Sequence, residues 1–266
     1  MYLDIMLICY SNEINRYRRY IRGMGMISVI MPVYNQDEIF LFQAIESVFS
    51  QTNQDFELII VDDGSTTDII NNVVKEFNSD KIKIIKHSSN MGIGYARNTG
   101  VKHSKGEYIA FLSSDDIWKV DFLKTTMNNL KDGIVFCDYD IILKNGSRII
   151  TKKVMPEDNI FTYPKQNFEK LVKNVARSGT LFINYSCLLG EKKYFEKENA
   201  FLDELRYGED LHHIVKICNK ANFTYLPESL IMYRWHEGNT THKVAHTMDL
   251  NNAKIFELLR KEGIDI

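Results

Sequence analysis

From Ile27 onward the chain alternates between short uninterrupted apolar runs and stretches where apolar residues recur every three or four positions. ISVIMPV (Ile27–Val33) is apolar almost throughout and is punctuated by Pro32. That suits a strand buried on both faces of a parallel sheet. Asn35 with Glu38 three positions later predicts a capped helix start. Ile39, Phe42, Ile45, Val48 and Phe49 then keep helical spacing. FELIIV (Phe56–Val61) predicts a second strand, stopped by DDGSTTD, a turn carrying cap residues for a helix through Val73, Val74 and Phe77. KIKIIKH alternates, which predicts a third strand nearer an edge, and GYARNTGVKHS reads as a helix start followed by a polar segment. EYIAFL predicts a fourth strand that runs directly into Ser113, Ser114, Asp115 and Asp116.

Strand and helix thus alternate about three times within the first half of the chain, the signature of parallel β-α-β units in a doubly wound α/β sheet. Ligands of such sheets sit beyond the carboxyl ends of the strands. The polar clusters fall at those ends: Tyr34-Asn35, Asp62-Asp63, Asn90 to Arg97, and Asp115-Asp116. Four segments distant in sequence are therefore expected on one rim. The second half is less regular. GIVFCDYDIILKNGSRIITKK predicts strands joined by a two-residue hairpin turn at Asn145-Gly146. Helices are expected over Phe168–Arg177, Glu209–Asn219 and Ala245–Lys261. No repeat or linker divides the chain after Ile27, so residues 26–266 are expected to form one domain, with a nucleotide-binding half at 26–140 and a second half at 141–266.

Bulk properties narrow the classes. With 33 basic and 35 acidic residues the net charge is −2, so nothing in the balance draws the protein to nucleic acid. Four separated cysteines (Cys9, Cys137, Cys187, Cys218) offer neither a zinc spacing nor a disulfide framework, which points to reduced thiols and a cytoplasmic location. No apolar run approaches the roughly 18–20 residues of a membrane span. Residues 1–25 read as an extension, loosely ordered or upstream of a start at Met24 or Met26. Its arginines among tyrosines (Arg16, Arg18, Arg19, Arg22) also suit contact with an anionic membrane surface.

Each rim cluster has a plain and a chemical reading. Asp62 and Asp63 end a strand at a glycine turn; they serve as cap and turn residues, or accept hydrogen bonds from a base or ribose. NMGIGYARNTG superficially resembles a dinucleotide loop, but its third glycine position is Arg97, and no Walker A loop exists. A glycine turn entering a helix still offers N–H groups, and Arg97 adds positive charge, a combination suited to a diphosphate. Asp115 and Asp116 cap a helix from Trp118 onward, or one of them holds a hard divalent cation, which takes one or two carboxylates and completes its shell with phosphates and water. Glu209 and Asp210, taken alone, are first of all stabilising acids at a helix start; aimed at a nucleotide rim, a carboxylate there is also a candidate general base. Arg234 and His236 follow a strand-like segment, within reach of a diphosphate or its metal. GxSxG is absent, so acyl-enzyme chemistry has no support.

Together SVIMPVYN, ESVFSQT, FELIIVDDGSTTD, NMGIGYARNTG, GEYIAFLSSDDIW, GED and YRWH resemble the inverting nucleotide-sugar glycosyltransferases of family 2, over roughly Ile27 to Thr241. The resemblance implies a GT-A fold, a doubly wound and mostly parallel sheet flanked by helices, with a smaller irregular acceptor-side half. It implies that Pro32, Val33, Tyr34 and Asp63 line the base and ribose pocket, with Arg97 close to the nucleotide. It makes Asp115 the metal ligand, for Mn²⁺ or Mg²⁺, with Ser114 and Asp116 beside the donor. Ser113 departs from the pattern, because the family's acidic motif opens on an acid there. Asp210 becomes the catalytic base, and Arg234 and His236 assist the diphosphate. The implied reaction moves a sugar from a nucleoside diphosphate sugar, UDP-linked, to a glycan or lipid-linked acceptor in polysaccharide or glycoconjugate synthesis, at the inner membrane face where the acceptor is lipid-linked. The competing reading is a non-catalytic relative that binds nucleotide-sugar as a scaffold. A nucleotidyltransferase would want a glycine-rich, basic loop after the first strand, where this chain has the acidic MPVYNQDE.

Overall fold

The computed structural model describes residues 25–155, 158–164, 183–196, 200–239 and 248–264. The expectations for residues 1–24 and for a helix at 168–177 lie outside them. The ten described strands are β1 (Ile27–Val33), β2 (Phe56–Asp62), β3 (Ile82–Lys86), β4 (Tyr108–Phe111), β5 (Ile117–Trp118), β6 (Gly133–Leu143), β7 (Arg148–Lys152), β8 (Phe161–Tyr163), β9 (Leu188–Glu191) and β10 (Asn222–Trp235). The helices are α1 (Glu38–Phe49), α2 (Ile69–Phe77), α3 (Ile93–His103), α4 (Phe122–Asn129), α5 (Glu209–Ile217) and α6 (Met248–Lys261).

All ten strands join one sheet in the order β3-β2-β1-β4-β9-β6-β10-β5, with β7 added to β6 and β8 to β10. The β1, β2, β3 and β4 pairings are parallel. β9 enters antiparallel to both β4 and β6. Two reversals restore direction, so β6 again runs with β4, and β10 lies parallel to β6. The carboxyl ends of β1, β2, β3, β4, β6 and β10 therefore share one edge. This topology places the end of β10, more than 200 residues after β1, beside the nucleotide-type rim predicted from the first half.

The local reasons are legible. β1 and β2 are buried almost end to end, as continuous apolar runs between helical layers should be. β3 alternates and takes the sheet edge. On β1, Ile27, Val29 and Met31 enter one core with Leu41, Ile45 and Phe122, while Ile30 enters the opposite core with Val101, Leu211 and Ile255. Gly100 lets α3 approach β1, since a Cβ there would lie 2.4 Å from Ile30 Cγ2. The helix cap differs from expectation. Asp37, not Asn35, caps α1, accepting from the Ile39 and Phe40 N–H groups at 3.0 and 3.3 Å. Asn35 instead adopts φ 46° and accepts from Thr66 N, stitching β1 to the β2 turn. Trp118 lies in β5 and not in a helix, so Asp115 and Asp116 cap nothing. The β6–β7 hairpin contains Asn145-Gly146 but is not the two-residue turn expected: Gly146 N bonds Leu143 O, and Gly146 alone of the pair takes positive φ. That is a longer loop with glycine in the left-handed position. Among the described residues, no helix is long and apolar enough to cross a membrane.

Candidate active site

The rim begins at the ends of β1 and β2. Tyr34 projects half-exposed beyond β1 while the Val33 side chain is buried in the core, and Pro32 is partly covered. Asp62 is taken by Ser65 N at 2.7 Å and by Lys86 at 3.3 Å. Asp63 is buried and holds the 91–92 turn: its oxygens accept from Met91 N (2.9 Å) and Gly92 N (2.8 Å), and Oδ1 meets His87 Nδ1 at 2.8 Å. The Met91 and Gly92 N–H groups are thus spent on Asp63. Among the described residues, Oδ2 has no partner besides Gly92 N.

Arg97 is the clearest departure from expectation. It is only 6% exposed, and its guanidinium lies over the rings of Tyr185 (4.7 Å), Phe201 (5.2 Å) and Phe111 (5.8 Å). Nη1 donates to Glu209 Oε1 at 2.7 Å. Its charge is committed to the start of α5 rather than presented to a phosphate. Burial, and then the neighbouring Asp210 charge, push the Glu209 carboxyl up to about 7 in spite of Arg97. Asp210, half-buried at the same helix start, accepts from Leu211 N at 2.7 Å. Burial raises its carboxyl above the ordinary range, against the pull of Arg97.

The two carboxylates after β4 have separate fates. Asp116 is 0% exposed; Ser186 Oγ donates to Oδ2 at 2.7 Å and Arg234 N to Oδ1 at 3.1 Å. Burial, reinforced by the charge of Asp115, holds its carboxyl well above the usual range. Asp116, expected beside the donor, is buried and held by Ser186 and the Arg234 backbone. Asp115 faces the rim. Its Oδ2 is held by His236 Nε2 at 3.0 Å and Asn239 Nδ2 at 3.3 Å, and Oδ1 has no protein partner among the described residues. Gly238 N donates to His236 Nδ1 at 3.2 Å, so Nε2 carries the proton that meets Asp115.

Arg234, expected to assist the diphosphate, is also buried. It is 1% exposed, stacks 4.4 Å over Phe40, and donates to Asp115 O, Lys144 O and Gln43 Oε1 at 2.9, 3.1 and 2.7 Å. It ties the loops at Asp115 and Lys144 to α1. Ser114 is buried and accepts from Gln36 Nε2 at 2.8 Å. Ser113 lies 3.2 Å from the Ser186 hydroxyl and donates its N–H to it at 3.1 Å. An acid at 113 would add a third charge beside the buried Asp116, which gives a physical reason for serine there.

A family model described as Glycosyl transferase family 2 matches residues 28–197. The chain belongs to glycosyl transferase family 2. The family's fold is shown as well by solved neighbours: S. aureus TarS with UDP-GlcNAc superposes with a TM-score of 0.67 at 20% identity, covering 88% of this chain and 70% of that one. TarS with UDP gives 0.65, covering 87% and 65%. An uncharacterized glycosyltransferase of Rickettsia bellii is 31% identical over 85% of this chain and 31% of its own length; one of Rickettsia typhi is 29% identical over 89% and 72%. The chain therefore spans about a third of the first relative and most of the second. A named relative, the Escherichia coli UDP-Glc:alpha-D-GlcNAc-diphosphoundecaprenol beta-1,3-glucosyltransferase WfgD, is 37% identical over 56% of each chain.

Sequence reading left Ser186, Tyr185, Asn239 and Glu209 out of the family site. Ser186 and Tyr185 sit on one short 3-10 turn, with Ser186 supporting Asp116 and Tyr185 lying beneath Arg97. Nothing in the local sequence signals that role, because it arises from β9 entering the sheet between β4 and β6. Asp115 has one carboxylate oxygen open to a divalent cation, and His236 would add a second ligand only once its ring leaves Asp115 and Gly238; the remaining positions would go to phosphate and water. Among the described residues, no cluster of three or more His, Cys, Asp or Glu could hold a metal without such outside ligands.

Proposed function

We propose that this protein transfers a sugar, with inversion, from a UDP-sugar to a hydroxyl of a glycan or lipid-linked acceptor. The observation that carries the reading is Asp115, clamped on one oxygen by His236 and Asn239 and open on the other at the carboxyl edge of the sheet. The UDP and UDP-GlcNAc complexes of TarS and the name of WfgD support the donor and acceptor classes. In this proposal residues 26–266 act as one catalytic unit, and Pro32, Val33 through its backbone, Tyr34 and Asp63 Oδ2 bound the base and ribose pocket. Ser114, held by Gln36, supports the loop beneath the donor.

Asp115 and His236 would hold Mn²⁺ or Mg²⁺, whose charge offsets that building on the departing diphosphate. His236 would do so in its Nδ1–H tautomer, turned away from Asp115 and Gly238 so that the Nε2 lone pair is free. Asp210 takes the acceptor proton as the hydroxyl oxygen attacks the anomeric carbon from the face opposite the diphosphate. One in-line displacement inverts that carbon. A raised carboxyl pKa makes Asp210 a stronger base once ionised. The turnover rate rises with pH through a limb set above the ordinary aspartate range. A scaffold role is not favoured, since both Asp115 and Asp210 are retained on supported loops.

The test is UDP release from a panel of UDP-sugars, alongside calorimetric UDP binding. Asp210→Asn should lose about 10²–10⁴ in turnover while UDP affinity holds. Equal turnover in that variant removes Asp210 from the role of base. Absence of UDP binding with Mn²⁺ would remove the donor assignment.

A further inference from the structure

The β6–β7 hairpin has a composition that the transfer reaction does not explain. Every residue from Leu143 to Lys153 is exposed, and neither face of β7 is covered. A strand without a covered face contributes little to the core, and two adjacent bare isoleucines on it invite aggregation. Ile149 is 54% exposed and Ile150 56%; Leu143 and its register partner Trp235 are 41% and 40% exposed. Lys144, Arg148, Lys152 and Lys153 stand among them, and the stretch holds no acid, in a chain of net charge −2. Arg148 is answered by Asp140 and Lys153 by Asp158, whereas Lys144 and Lys152 have no acidic partner among the described residues. Lysines on an edge strand are an ordinary guard against strand pairing. They do not account for isoleucines and a tryptophan at the same tip.

The hairpin is also tied to the candidate active site. Arg234 donates both to Lys144 O and to Asp115 O, so the hairpin base and the open carboxylate share one guanidinium. A cavity of about 440 Å³ lined by Leu143, Lys144, Asn145, Trp235, His236 and Glu237 lies between them. Glu237 is the acid nearest the tip within that lining.

We propose that the β6–β7 hairpin is a membrane-docking element that seats on an anionic lipid surface, with Ile149 and Ile150 at the acyl boundary, the lysines at headgroup level and Trp235 at the interface. Charge complementarity selects the occupant. Unpaired cations flanking aliphatic and aromatic side chains are the pattern of interfacial binding, and a purely apolar partner would leave Lys144 and Lys152 desolvated. Docking there holds the mouth beside Asp115 at the lipid surface. The inference does not depend on the donor or acceptor assignment, and its readout is binding.

The experiment is flotation of the full chain with vesicles of phosphatidylcholine alone and of phosphatidylcholine mixed with phosphatidylglycerol, at low and high salt. Binding to the mixed vesicles, weakened by salt, is expected. Lys144→Ala and Lys152→Ala should each weaken it about fivefold, from the ~1 kcal/mol that a basic residue contributes near such a surface. The Ile149→Ser/Ile150→Ser variant should lose the binding that survives high salt. Circular dichroism and thermal melting of the same preparations report that these variants are folded. Vesicle binding that ignores all three variants overturns the proposal, as does failure of the wild type to bind. Self-association that disappears in Ile149→Ser/Ile150→Ser, without vesicle binding, would assign the hairpin to a second copy of the chain instead.

Discussion

Replacing Arg97 with Met tests how the start of α5 is held. Methionine fills much of the aromatic cage of Phe111, Tyr185 and Phe201 but cannot answer Glu209. In the wild type the Glu209 carboxyl titrates near 7, against an ordinary value of 4.5. The folded state therefore holds this proton more tightly than the unfolded chain does. Stability from Glu209 is full below about pH 4.5 and declines as pH rises to about 7, by roughly 3 kcal/mol at ~1.4 kcal/mol per unit. Arg97 is one of the influences that lower this value, so the variant's carboxyl titrates higher still and the decline continues into alkaline solution. Near pH 5 both proteins carry a neutral Glu209, and the variant loses one hydrogen bond to a charged group, about 1.5–3 kcal/mol. Above about pH 8 it must bury an unanswered carboxylate or protonate it, a loss of about 3–5 kcal/mol. Against a total stability of roughly 5–15 kcal/mol, that leaves a visibly weakened protein. Urea unfolding at the two pH values measures the difference. The expected result is a penalty that grows with pH, and that becomes independent of pH when Glu209→Gln is added. A penalty equal at both values, or below about 1 kcal/mol in alkali, would refute the ion pair as the clamp.

Asp115→Asn and His236→Ala should each weaken Mn²⁺-dependent UDP binding by at least about tenfold, with metal-free binding unchanged; calorimetry with and without chelator separates the two. Ser186→Ala strands Asp116 Oδ2 and the Ser113 N–H, and should cost about 1–3 kcal/mol, seen as a drop of several degrees in Tm. Gly100→Ala forces a methyl against Ile30 and should destabilise by about 1–3 kcal/mol; an unchanged urea midpoint would mean that α3 can shift off β1.

The alternation of apolar runs with helical spacing determined the first half of this protein. β1, β2, β3 and β4 stand where ISVIMPV, FELIIV, KIKIIKH and EYIAFL predict them; for β1, β2 and β4 the reason is that a strand buried on both faces cannot be written with polar residues. The edge position of β3 was legible in its alternation for the same reason. Side-chain polarity alone also brought Asp63, Asp115 and the acids of GED to notice as costly groups in need of partners. Which partner each one found was decided by the tertiary structure. Asp115 and Asp116 are adjacent and identical in sequence, yet successive residues point in different directions, so one meets Ser186 in the interior and the other meets His236 at the rim. Arg97 and Arg234 look like free phosphate ligands along the chain; packing turned each into a buried tie between loops. Ser186 comes from the turn before β9, Glu209 from the start of α5 and His236 from just after β10, and the antiparallel entry of β9 sets where the first of these lies. Local pattern carries burial and direction, whereas the identity of a neighbour 70 or more residues away depends on strand order, which no short stretch of sequence encodes.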